Sequence, residues 1–274
     1  MRFFDLSFQI FLMFIRSLLI LTLIILSVPR AGVFAQSPEL QSAKKDVVES
    51  IQKLAEDQDS PESRKATLID VVEFSIIETN DLIKKLSALK IPDGNYGDLR
   101  SVLISDLKDL LDELDFFLEE ALEVELDLDK IKEVAEGFKE WREVYSVEAR
   151  KTLEFLLVFQ MGNILKIVDS RYSNIADDLH RFRNSTVINV ALLQPIFDSA
   201  EIDLKQAKQL YQEGLNQLLQ YLPDYENFAD GFEQPIQIKK DIPTLMSGVL
   251  LKIKSAYQKF INMSRMVDKM VEKK

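Results

Sequence analysis

Nine apolar residues between positions 103 and 131 recur at alternating steps of four and three, and this spacing is the strongest constraint on the fold. They are Leu103, Leu107, Leu110, Leu114, Phe117, Ala121, Val124, Leu128 and Ile131. A heptad pattern of this kind places all its members on one side of an α-helix, as in coiled coils. Leu111, Leu118 and Leu122 widen the stripe beyond a two-stranded seam. The pattern therefore favours packing against several helices of one bundle.

The rest of the chain carries helical patterns separated by turn-forming residues. Glycine and proline number only eight each in 274 residues, and scarcity of these residues favours helix. Apolar periodicity and helix start and stop signals predict helices over 38–57, 61–90, 98–126, 129–183, 195–222 and 244–272. The predicted boundaries include a Ser-Pro-Glu start at Ser60, Asp98 as the cap of the third helix and a joint at Asp127. Ile202 belongs to the apolar stripe expected in the 195–222 helix. We therefore predict an all-α fold over residues 36–274, an elongated antiparallel bundle of five to seven helices.

The longest of these segments is expected to be interrupted. Residues 129–183 would measure about 80 Å as one helix, so we predict a break or bend, with Ser146 capping a new helix. Residues 153–168 are apolar nearly all round, which indicates burial on several sides. Residues 184–194 are the least helical, and we expect a domain sub-boundary near 184–195, after which Pro195 opens the next helix.

The first 35 residues have the pattern of a secretory signal peptide. Residues 17–28 form a run of twelve without a charge after Arg16, which matches the ~7–15-residue apolar core of such signals. Val33 and Ala35 are small residues at the −3 and −1 positions of a cleavage site. We predict cleavage between Ala35 and Gln36. The compartment expected from this is secreted or otherwise extracytoplasmic, in the periplasm or at the cell surface.

The alternative for this segment is an uncleaved membrane anchor. Residues 8–28 supply 21 residues, close to the ~20 that a membrane span needs. That span would contain Arg16, which costs roughly 2.5–3.5 kcal/mol on insertion scales. Cleavage is therefore the preferred interpretation.

Cysteine and charge exclude several classes of site and partner. The chain has no cysteine, which removes disulfides, thiolate metal sites and cysteine nucleophiles. Its net charge is −11. Removal of the leader, with three basic residues and one acidic residue, leaves 239 residues and a net charge of −13. Because binding to phosphates relies on positive surface, we expect no nucleic-acid partner.

Metal-binding candidates are few. His180 is the only histidine, and Asp177 stands three residues before it. Di-iron sites of the ferritin-like kind need a carboxylate–histidine pair from each of two helices, so we interpret His180 as a surface residue. A second weak candidate is the loop with Asp224, Glu226 and Asp230, whose oxygen ligands lack the spacing of an EF-hand. We predict no catalytic residue and no cofactor.

Two further features have a structural interpretation. Phe138, Trp141 and Tyr145 lie at helical spacing and are expected to be packing residues. Residues 98–127 contain eleven Asp or Glu against two basic residues, and exposed carboxylates of this kind usually form a solvated helix face.

The last helix is basic, with nine bases and three acids over residues 239–274. One interpretation is contact with anionic lipid through a basic amphipathic helix. The other is an ordinary bundle helix whose bases are attracted to the acidic third helix, and we favour this second interpretation.

These observations lead to a functional hypothesis that is not enzymatic. We expect an exported helical-bundle protein with a structural or protein-binding role, which binds a protein partner or associates with itself through its helical faces. One alternative is a peripheral protein that reaches the membrane by its uncleaved leader or its C-terminal helix. Another is a helical bundle that binds a small molecule or a metal.

Overall fold

Several helices of this chain begin where a side chain satisfies free backbone amides at the first turn. The hydroxyl of Ser60 accepts a hydrogen bond from the amide of Ser63 at 3.2 Å, and Pro61 occupies the next position. The carboxylate of Asp127 caps a later helix in the same way, at 2.9 Å from the amide of Asp129. The predicted Ser-Pro-Glu start at position 60 and the joint at Asp127 are therefore confirmed.

The computed structural model describes residues 37–57, 60–91, 94–123, 127–183, 188–221 and 241–272. Over these residues the chain forms six α-helices and one 3₁₀ turn, with no strand. The helices are α1 (Pro38–Glu56), α2 (Pro61–Ala88), α3 (Asn95–Glu123), α4 (Leu128–Phe182), α5 (Val190–Leu218) and α6 (Ile242–Glu272), and the 3₁₀ turn is Leu219–Tyr221. The predicted all-α multi-helix bundle is confirmed.

The longest helix, α4, is shared by two pairs of helices. Its first half packs against α2 and α3, and the indole of Trp141 donates a hydrogen bond to the carbonyl of Leu110 at 3.2 Å. Its second half packs against α5 and α6, where the ring of Tyr172 stacks on Phe197 at 4.8 Å between centroids. Residues 39–274 form one compact unit, and the sub-boundary near 184–195 stays a prediction.

The middle of α4 contacts both pairs of helices and is buried on several sides, as expected for the apolar segment 153–168, although Leu153 and Ile167 are 37% and 56% exposed. Phe155, Leu156 and Val158 are at most 1% exposed. Gly162 is needed here for close approach, because an added Cβ would lie 2.9 Å from Cζ of Tyr211 on α5. At the same level, the Tyr96 hydroxyl at the start of α3 donates to the carbonyl of Leu215, at 3.4 Å.

The predicted break in α4 is wrong, since the helix runs unbroken for 55 residues. Ser146 does not cap a new helix. Its hydroxyl donates to the carbonyl of Glu143 at 2.8 Å, within the same helix. Different helices cover α4 along its length. Its apolar residues therefore move from one side of the helix to another, and the helix continues without a break.

Two other expected helix starts are also wrong. The third helix begins at Asn95, so Asp98 lies within its first turn, and its amide bonds to the carbonyl of Gly94 at 3.0 Å. The fifth helix begins at Val190 with Asn189 as its cap, and Pro195 lies inside it. A proline there removes one hydrogen bond of the helix ladder.

Several residues expected in apolar stripes lie at the surface. Leu122 is 54% exposed and Ile202 is 56% exposed. The seam residues Leu103, Leu107 and Leu114 are at most 2% exposed, as the heptad spacing predicts. Among the helices described, none is long and apolar enough to cross a membrane.

Candidate interaction faces on α3 and α6

The predicted metal candidates do not come together in the part of the chain that the structure describes. Asp177 and His180 are both exposed on the last turns of α4. No group of three or more residues with metal-binding side chains occurs among the described residues. Asp224, Glu226 and Asp230 lie outside the described residues, as do the cleavage-site residues Val33, Ala35 and Gln36.

The outer side of α3 carries an exposed aromatic ring within a set of carboxylates. Phe116 is 58% exposed. Its helical neighbours at positions ±3, ±4 and ±7 share its face, and all six are acidic. They are Asp109, Asp112, Glu113, Glu119, Glu120 and Glu123. Of these only Glu120 is half-buried, and none forms an ion pair with another described residue. We call Phe116 and these six carboxylates the acidic face.

A series of aromatic contacts connects Phe116 to the core. Its ring meets Phe117 edge to face at 6.3 Å, and Phe117 meets Phe138 at 6.0 Å. Phe138 stacks on Trp141 and Trp141 on Tyr145, with centroids 5.4 and 4.9 Å apart. Phe138, Trp141 and Tyr145 are at most 4% exposed, so the predicted packing role of these three residues is confirmed. Phe116 is thus in contact with a cluster of packed aromatic rings.

A partly buried ion pair beside this aromatic cluster was not visible in the sequence pattern. Nη1 of Arg142 lies 3.0 Å from Oε2 of Glu78 and donates to the hydroxyl of Ser75 at 3.2 Å. The guanidinium also lies 4.8 Å from the ring centroid of Tyr145. Burial raises the pKa of the Tyr145 hydroxyl well above its ordinary value, and the charge of Glu78 adds to this rise. The group joins α2 to α4, which is a structural role.

The bases of α6 divide into two sets. Lys252 and Lys259 turn towards α5, where their amines lie 3.8 and 2.6 Å from the carboxylate of Asp203. The expected attraction between this helix and the acidic third helix is therefore wrong for these two lysines, because their partner carboxylate is on α5. Asp203 is 8% exposed. Burial raises its pKa, but hydrogen bonds from Lys259 and Ser255 and the charges of both lysines outweigh burial, so the pKa lies below its ordinary value.

The remaining bases of α6 point away from the bundle. Lys254, Arg265 and Lys269 are exposed and form no ion pair with another described residue. Leu250, Leu251 and Ile261 lie beside them and are 42%, 64% and 45% exposed. At 3.6 residues per turn, the six side chains fall within a sector of about 100°, opposite the buried stripe, and the exposed acid Asp268 lies at the edge of the same sector. We call these six residues the basic face.

An open groove lies between α1 and α2 in the described part of the chain. Its volume is about 240 Å³, and its lining includes four carboxylates, those of Glu39, Asp46, Asp70 and Glu73. Asp70 also accepts a hydrogen bond from Ser50 on α1. The lining contains no basic residue, so the groove is a polar seam between two helices.

We compared the chain with known protein families, curated proteins and solved structures. No protein-family model matches the chain, and neither a curated protein nor a solved structure shows significant similarity to it.

Proposed function

We propose that this chain is an exported helical-bundle protein with a structural or protein-binding role, and that it is not an enzyme. The observation that supports the proposal is the acidic face. An aromatic side chain that is 58% exposed and in contact with packed aromatic rings has the properties of an interface anchor. Aromatic residues are enriched among the side chains that dominate binding energy at interfaces.

The chemistry of the acidic face defines the kind of partner. Like charges at i,i+4, such as Asp109 with Glu113 and Glu119 with Glu123, destabilise a helix by a few tenths of a kcal/mol per pair. A basic partner removes this repulsion on binding. The partner surface is therefore expected to present lysine or arginine around an apolar patch that receives Phe116.

The experiment is capture of proteins from the extracytoplasmic fraction of the source cell on immobilised protein. Phe116→Ala is expected to reduce capture of a specific partner about 30-fold, which corresponds to roughly 2 kcal/mol for a central aromatic residue. Val144→Ala is the matched control, because Val144 is 57% exposed on a different helix and its removal should leave capture unchanged. Equal capture by all three proteins would contradict the proposal.

A further inference from the structure

The acidic face of α3 and the basic face of α6 are complementary in charge, and each is exposed. The acidic face offers six carboxylates around Phe116. The basic face offers Lys254, Arg265 and Lys269 beside three exposed aliphatic side chains. We propose that a second copy of this chain is the partner, with the basic face of one copy docked on the acidic face of the next. This inference rests on the proposed protein-binding function and names its partner.

The charges of the two faces are not neutralised within one chain. The buried side of α6 packs against α5 and α4, so the basic face points in the opposite direction. Two other lysines of the same helix do have a carboxylate partner, Asp203. The bases of the basic face have none among the described residues, and neither do the carboxylates of the acidic face. Contact between two copies brings these charges together.

The charged parts of the two faces agree in length, and both faces carry apolar side chains. At 1.5 Å per residue, the carboxylates from Asp109 to Glu123 span about 21 Å, and the bases from Lys254 to Lys269 span about 22 Å. Leu250, Leu251 and Ile261 are exposed aliphatic side chains beside these bases. In the docked pair, Phe116 contacts this aliphatic surface while carboxylates and bases meet around it.

An interface of this kind joins two different surfaces. Each copy that docks its α6 still offers a free α3, and the copy that receives it still offers a free α6. Contacts that join unlike surfaces continue from copy to copy and give rings or open chains. The inference is therefore specific: the protein forms higher assemblies, and blocking one face leaves the other active.

The test uses light scattering coupled to size-exclusion chromatography on the purified protein and two variants. The acidic-face variant carries Asp112→Lys, Phe116→Ala and Glu119→Lys. The basic-face variant carries Leu251→Ala, Lys254→Glu and Arg265→Glu. All six positions are exposed, so both variants should retain the helical circular dichroism of the wild type. The wild type should increase in mass with concentration, and each variant alone should remain a monomer.

An equimolar mixture of the two variants provides the decisive observation. The acidic-face variant retains a basic face and the basic-face variant retains an acidic face, so the mixture should form dimers and nothing larger. A control with Lys45→Glu, Lys132→Glu and Val144→Ala makes the same change in charge as the basic-face variant at other exposed sites. It should assemble like the wild type. High salt should reduce assembly by all competent proteins, because exposed charges are screened.

Three outcomes would overturn the inference. A wild type that stays monomeric at every concentration removes the second copy as partner. Variants that still assemble alone show that other surfaces carry the contact. A monomeric wild type that binds vesicles of phosphatidylserine and phosphatidylcholine through Lys254 and Arg265 assigns the basic face to lipid. In each case Phe116-dependent capture of another protein remains a separate test, so the proposed function can stand where this inference fails.

Discussion

Asp203 shows how one residue departs from an apolar pattern for a physical reason. Ile202 fits the expected stripe of α5 but is 56% exposed, whereas its neighbour Asp203 is 8% exposed. The carboxylate is tolerated there because Lys259 and Lys252 reach it from α6, and a buried charge requires a partner. The position of that partner depends on how two helices align, which the periodicity of one helix does not contain.

Replacing Asp203 by asparagine tests the value of this buried pair. Asp203→Asn leaves Lys259 without its carboxylate, and the free energy of unfolding should fall by roughly 1–3 kcal/mol near neutral pH. Urea unfolding followed by circular dichroism measures the change. Asp169→Asn is the control, because Asp169 pairs with Lys208 at 2.8 Å where both side chains are at least 42% exposed. Exposed pairs contribute about 0–1 kcal/mol.

The same pair predicts a pH dependence of definite sign. The pKa of Asp203 is lower in the folded protein than its ordinary value, and the unfolded value is about 3.9. Its stabilisation is therefore complete above about pH 4 and is lost as the pH falls through the lower folded pKa. The stability difference between wild type and Asp203→Asn should shrink below about pH 4. A difference that stays constant to lower pH would contradict the assigned pair.

At the scale of elements, α4 is longer than its sequence pattern predicts. A 55-residue helix is unusual in a bundle whose other helices have 19 to 31 residues. Its length follows from its position, since one pair of helices covers its first half and another pair its second half. The apolar stripe rotates between the halves, and a pattern that changes sides resembles a break when it is read from sequence alone.

Alanine substitutions distinguish a continuous helix from a capped junction. Ser146→Ala should leave stability unchanged or raise it by about 0.5 kcal/mol, because alanine is the better helix former. Asn189→Ala is the reference, since the Asn189 side chain accepts a hydrogen bond from the amide of Ala191 at 3.2 Å and caps α5. Its loss should cost about 0.5–2 kcal/mol. Equal losses for both variants, measured by urea unfolding, would mean that a helix starts at Ser146.

At this scale the sequence could predict the number of helices and most of their boundaries, because these follow from local signals. The Ser60 cap and the Asp127 joint depend only on neighbouring residues, and both were predicted. Asp98 and Pro195 were assigned as starts because either residue commonly begins a helix. In each case the helix starts earlier, at Asn95 and at Val190. The helix-start signals in the sequence are weaker at these positions, and packing supports them.

The interaction faces were only partly predictable. The acidity of α3 and the basicity of α6 are visible in composition, and the sequence placed them correctly on two helices. The heptad stripe includes Phe117, which packs towards Phe138, and leaves out Phe116, which is exposed. The sequence could not distinguish the lysines that pair with Asp203 from those that remain exposed. That distinction depends on which side of a helix its neighbours cover.

For the whole molecule, non-covalent contacts have to provide the stability, because there is no cysteine to form a disulfide. The central segment of α4 meets both pairs of helices, so loss of packing there affects both halves together. A net charge of −11 opposes compaction through self-repulsion and keeps copies apart. Docking of the basic face on the acidic face is therefore a local attraction that must overcome a general repulsion, and we expect a weak, reversible assembly.

The processing of the leader determines the molecule in which these faces operate. The charge-free run at 17–28 and the small residues Val33 and Ala35 predict cleavage, which leaves a chain starting at Gln36 with a net charge of −13. N-terminal sequencing and intact mass of the protein from the source cell should show Gln36 as the first residue. An intact Met1 in a carbonate-resistant membrane fraction would show an anchor over 8–28.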